Sequence, residues 1–148
     1  MARHTRCQGA IMRDHHILLI THQEHSTGRK YWLVPGGGIE DGEDEVACVI
    51  REMREETNLE VRVERLLLDE EIAPSAGYTR IKTYLCVPIA GEAKPGYEPE
   101  EEASSVYGIT DVAWFDLRDE SLWNSAMKSD EITYPQVKRI QRALGYNR

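Results

Sequence analysis

The chain has 148 residues, 41% of them hydrophobic and 30% charged, and a formal net charge of -8. That length and balance supply one hydrophobic core, so residues 1–148 read as one domain, and they exclude a disordered chain. No apolar run nears the ~20 residues that span a bilayer, and a pI near 5.1 argues against a general grip on nucleic acid polymers, which favour a basic face.

In chain order, "TRCQGAIM" and "HHILLITHQ" read as two strands joined at Arg13–Asp14, a hairpin with Asp14 suited to the turn. "HSTGRK" is a polar loop, and "YWLV" is a short strand running into Pro35 and three glycines. "EVACVIREMREETN" is the clearest helix. Val46, Val49, Ile50 and Met53 recur at i, i+3, i+4 and i+7, an apolar stripe for the core. "LEVRVERLLLDEEIA" and "TRIKTYLCVPIA" are strands on either side of a "PSAGY" turn, and "GEAKPGYEPEEEASS" is a long polar loop. "ITDVAWFDL" is the last strand, "DESLWNSAM" a short helix, and "YPQVKRIQRALGY" a C-terminal helix with Pro135 in its first turn. Cys7, Cys48 and Cys86 are widely spaced with no CxxC pair, which points to buried thiols in a reducing compartment. "MARHTRCQGAIMRDHH" lacks the apolar stretch of a signal peptide, so a cytoplasmic location is expected.

The clearest helix carries an excess of negative charge. Glu52, Glu55 and Glu56 are spaced i, i+3, i+4, which stacks three carboxylates on a face expected to lie away from the apolar stripe and toward solvent. Like charges at that range repel unless a cation sits among them. Arg51 and Arg54 are local partners, and a solvated acidic face would need nothing more. Gly36, Gly37 and Gly38 precede the helix, free to adopt unusual dihedrals and to bring backbone N–H groups to a ligand.

The relation of loop to carboxylates resembles the box of the Nudix hydrolases, G-x5-E-x7-R-E-U-x-E-E-x-G-U with U apolar. Gly37, Glu43, Arg51, Glu52, Met53, Glu55, Glu56 and Leu59 match it. Asn58 stands where the family has glycine, and Asn tolerates a left-handed backbone well enough to close the helix. The resemblance implies an α+β fold, a Nudix-type α/β/α sandwich with a central mixed sheet and a loop-helix-loop catalytic motif. It implies Mg²⁺, with Mn²⁺ as an alternative, bound by Glu52, Glu55 and Glu56. Glu43 supports the site, and Arg51 orients a catalytic glutamate. Glu52, Arg51 and Glu55 are thus the catalytic set, and Gly36, Gly37, Gly38 and Arg29 are the substrate-binding candidates. The general base is either Glu52 or a later acid among Glu98, Glu100, Glu101, Glu102 and Asp111.

The implied reaction is water attack on the pyrophosphate of a nucleoside diphosphate linked to a group X. Pro74, in a turn past the box, tilts the expected substrate toward ADP-ribose or a nucleotide sugar. A triphosphate of the pool-sanitising type is the alternative, followed by a non-catalytic nucleotide sensor. The partner is a small-molecule nucleotide, and the protein is a monomer or homodimer. His15, His16, His22 and His25 read as surface residues. Arg29 and Lys30 read as phosphate contacts or solvated loop charges. Trp32, Tyr78 and Tyr84 read as base-stacking or sheet aromatics.

Overall fold

The computed structural model describes residues 4–96 and 107–146. Strands β1 (Thr5–Arg13) and β2 (His16–Glu24) form the expected hairpin. Its turn falls one residue later than expected, on Asp14 and His15, whose φ angles are 49° and 68°. Two positive angles in succession match the twist of the flanking strands. β3 (Lys30–Leu33) pairs with β2. The three glycines form a short strand, β4 (Gly36–Gly38), antiparallel to residues 6–8 of β1. Helix α1 (Glu45–Thr57) follows, capped by the Asp44 carboxylate, which accepts from Ala47 N at 2.7 Å.

β5 (Leu59–Ser75) and β6 (Tyr78–Gly91) make a long antiparallel hairpin. Its turn is only Ala76–Gly77, so Pro74 belongs to the end of a strand and not to the turn. β6 runs parallel to β1, and β7 (Tyr107–Asp116) pairs with β2. The sheet order is β3-β2-β1-β6-β5, a mixed sheet as expected. The expected helix at "DESLWNSAM" is two pieces, a 3-10 turn (Glu120–Leu122) and α2 (Ser125–Lys128). Asp119 caps the first and Asn124 caps the second, and a cap between them stops a continuous helix. α3 (Thr133–Ala143) holds Pro135 in its first turn.

Helices cover both faces of β1 and β2. Ile11 and Leu18 point into a cluster with Cys48, Val49 and Met53 of α1. Ala10, Ile17 and Leu19 point the other way, against Met127, Val137 and Ile140 of α2 and α3. A strand buried on both faces reads as an unbroken apolar run, which explains "ILLI". The result is the expected α/β/α sandwich. All three cysteines are buried and free, and burial pushes the Cys86 thiol up to about 12. Among the described residues, no helix is long and apolar enough to cross a membrane.

The surface reading of the histidines fails at His22. It is partly buried, and burial, with Arg6 adding repulsion, lowers its pKa from 6.5 to about 4. The unfolded chain therefore binds this proton first, so folding stability falls as pH drops from 6.5 toward 4. The effect is bounded by about 3 kcal/mol. Urea midpoints at pH 7, 5.5 and 4.5 should show that slope in the wild type and a shallower one in His22→Gln.

Candidate active site

Helix α1 is rotated relative to the sequence expectation. Val46 is 43% exposed, whereas Glu52 and Glu56 are each only 1% exposed. The buried arc runs through Cys48, Val49, Glu52, Met53, Glu56 and Thr57, so two carboxylates face inward instead of lying on a solvated face. They face inward because β4 receives them. Gly36 N donates to Glu56 Oε1 at 2.8 Å. A Cβ on Gly37 would stand 2.1 Å from Glu52 Oε2. Hence the glycines serve the site by leaving room. None of Gly36, Gly37 and Gly38 has a positive φ among the described residues, and the Gly36 N–H is given to a carboxylate of the chain itself.

Arg51 stands at the centre. Its Nε and Nη2 donate to the two oxygens of Glu43 at 2.7 and 3.0 Å. Nη1 donates to Glu55 Oε1 at 2.7 Å and to Glu52 Oε2 at 3.3 Å, and Nη2 also reaches Gly38 O at 3.1 Å. The guanidinium holds the Glu43 carboxyl below the ordinary carboxylate range, and Glu43 in turn holds Arg51 well above its own. Glu40, which sequence reasoning passed over, lies 3.5 Å from Arg51 Nε. The fork geometry thus ties the box together by charge-assisted hydrogen bonds.

Among the described residues, no three His, Cys, Asp or Glu side chains stand in an arrangement that would hold a metal ion. The chemistry of the donor set does fit one. Glu43, Glu52, Glu55 and Glu56 supply hard oxygen donors, and the Arg51 guanidinium bonds three of them. An excess of carboxylate around one guanidinium suits a hard divalent cation.

Other candidates stand apart from this cluster. Arg29 lies over the Tyr31 ring at 5.1 Å and lines a cavity of about 740 Å³. Lys30 and Asp111 meet each other at 3.4 Å, both exposed. Tyr84 is buried and donates to Glu45, and Trp32 packs edge-on against Phe115 at 5.2 Å, so both are structural aromatics. Glu98, Glu100, Glu101 and Glu102 lie outside the described residues. Pro74 lines a second cavity of about 450 Å³, with Arg6, Gln8, Val34, Gln136 and Arg139 around it. Val34 is two residues from Gly36, so this cavity adjoins the glycine strand.

Fold and site together define an α/β/α sandwich whose loop-helix-loop carries an arginine-centred carboxylate cluster. The NUDIX domain family matches residues 3–135, and the chain belongs to the Nudix hydrolase family. It is 34% identical over 107 residues to the NAD-capped RNA hydrolase NudC of Vibrio vulnificus (strain CMCP6), covering 72% of this chain and 36% of that protein. It is 28% identical over 107 residues to the ADP-ribose pyrophosphatase of Mycobacterium tuberculosis (strain ATCC 25618 / H37Rv), covering 70% and 52%. The chain thus spans between about a third and a half of the length of these curated relatives. Among solved structures, a UDP-X diphosphatase shares the fold with a TM-score of 0.70 at 23% identity, over 100% of this chain and 66% of that one. A NUDIX hydrolase from Nitrosomonas europaea does so with a TM-score of 0.71 at 20% identity, over 95% and 86%.

Proposed function

We propose that this chain hydrolyses the pyrophosphate linkage of a nucleoside diphosphate joined to another group, of the ADP-ribose or nucleotide-sugar type, with a divalent ion held by Glu52, Glu55 and Glu56. The observation that carries this reading is the packing of the Glu52 and Glu56 carboxylates against β4, with Gly36 N on Glu56 Oε1 at 2.8 Å. It gives these side chains one fixed place against the glycine strand. Mg²⁺, or Mn²⁺ in its stead, supplies charge neutralisation at the pyrophosphate and lowers the pKa of water. Arg51 orients Glu52 and Glu55. In this reading Glu52 would be the box residue that takes a proton from the attacking water.

The 450 Å³ cavity offers a seat for the substrate's nucleoside or its X group. Its guanidinium groups, amides and apolar wall suit a polar sugar or base on an apolar bed. The names of the two curated relatives point the same way, since ADP-ribose and an NAD cap are both of the diphosphate-linked type. The first of those names favours a second reading, in which X is the NAD-capped end of an RNA. The net charge of -8 weighs against a grip on the RNA body.

The test is one panel of kcat/KM values under a single Mg²⁺ condition, with products identified by mass spectrometry. ADP-ribose, UDP-glucose and an NAD-capped oligonucleotide are compared with dGTP and 8-oxo-dGTP. Diphosphate-linked substrates should lead, and EDTA should abolish turnover. A preference for either triphosphate, with pyrophosphate released, would refute the choice of substrate.

A further inference from the structure

Position 58 is where the chain departs from the box, and its side chain there makes contacts that a glycine cannot. Asn58 adopts the left-handed backbone that ends a helix, at φ 64° and ψ 16°. Its Nδ2 donates to the carbonyl oxygens of Lys94 at 3.1 Å and Pro95 at 3.3 Å. Two backbone bonds hold the same strap. Lys94 N donates to Thr57 O at 2.9 Å, and Gly96 N to Glu56 O at 3.0 Å. Gly96 crosses so closely that a Cβ on it would stand 1.8 Å from Glu55 O.

Residues 94–96 therefore lie across the last turn of α1, on the backbone of Glu55, Glu56 and Thr57. The final carbonyls of a helix have no partner within it, and the last turn is where helices fray. Here that turn also carries two of the carboxylates assigned above to the metal.

We propose that Asn58 is a positioning residue, whose carboxamide clasps Lys94–Gly96 onto the C-terminal turn of α1 and so fixes where Glu55 and Glu56 carry their carboxylates. The inference deepens the proposed function and rests on its assignment of those two residues. Asn58→Gly is the informative variant. It keeps the left-handed backbone without strain and restores the box residue, and it removes only the clasp. Asn58→Asp keeps the size but replaces the donor with a negative charge facing the Lys94 and Pro95 carbonyls, so it is read by amide exchange alone.

The first measurement is Mn²⁺ affinity without substrate, read by electron paramagnetic resonance of the free ion. In Asn58→Gly the dissociation constant should rise about fivefold, the factor that corresponds to one net hydrogen bond. With the best substrate, kcat should fall by a similar factor while KM changes less than twofold. Amide exchange at Lys94 and Gly96 should quicken, and the melting temperature should hold. An Asn58→Gly protein with wild-type Mn²⁺ affinity and kcat, or with a change in KM alone, would overturn the clasp and leave the proposed function standing. Wild-type protein that binds no Mn²⁺ would overturn both.

Discussion

Glu56→Gln and Glu52→Gln should each lower kcat/KM by on the order of a hundredfold or more while the protein stays folded. Gln matches Glu in size, so neither variant opens a cavity among residues only 1% exposed. What disappears is formal charge at the place where the divalent ion would sit. At position 56 the amide oxygen can still accept from Gly36 N, so the strand-to-helix contact of 2.8 Å survives. At position 52 the side chain sits against Gly37 and accepts from Arg51 Nη1. Steady-state kinetics across a Mg²⁺ titration, beside circular dichroism of each variant, check this. A variant with near wild-type kinetics at every Mg²⁺ concentration removes that glutamate from the ligand set.

Arg51→Met should destabilise the fold by about 3 kcal/mol, the lower end of what breaking a buried ion pair costs. For a chain of this size that is roughly 6 to 12 °C in melting temperature. Met keeps most of the aliphatic stem and deletes the charge. The guanidinium bonds Glu43, Glu52 and Glu55 and the Gly38 carbonyl, and the Arg51 side chain is only 18% exposed. Without it, Glu43, Glu52 and Glu55 lose the guanidinium that bonds all three. Urea unfolding of the variant measures the loss. Equal midpoints for variant and wild type would mean that the network contributes nothing to folding.

The candidate carboxylate cluster was legible in the sequence because its logic is local. Loop and carboxylates lie within about twenty residues of one another, and the spacing from Gly37 to Glu56 records their relation. The orientation of the helix was not legible. Val46 continues an apolar period but stays 43% exposed, while Glu52 and Glu56 turn inward. Periodicity ranks residues by hydropathy, so it cannot foresee that a strand of bare glycines leaves space for carboxylates. Contacts between distant segments were equally hidden. Lys94, Pro95 and Gly96 meet the end of α1 across 36 positions or more. Pro74 reaches the cavity wall because the β5–β6 turn takes only Ala76 and Gly77. In the late chain, "DESLWNSAM" has helical composition, but Asp119 and Asn124 each start a helix of their own.

The arginine at the centre of the box changes what the divalent ion means to the protein. In a zinc finger the ion is part of the architecture, and its removal unfolds the chain. Here Arg51 is a cation that cannot leave, anchored by its own backbone among glutamates whose charge it offsets in part. On the proposed function, the folded state is therefore provided for whether or not an ion is bound, and the ion would act as a reagent that comes and goes with its concentration. Activity would then fall silent when the ion is scarce and return when it is restored, with no refolding step in between.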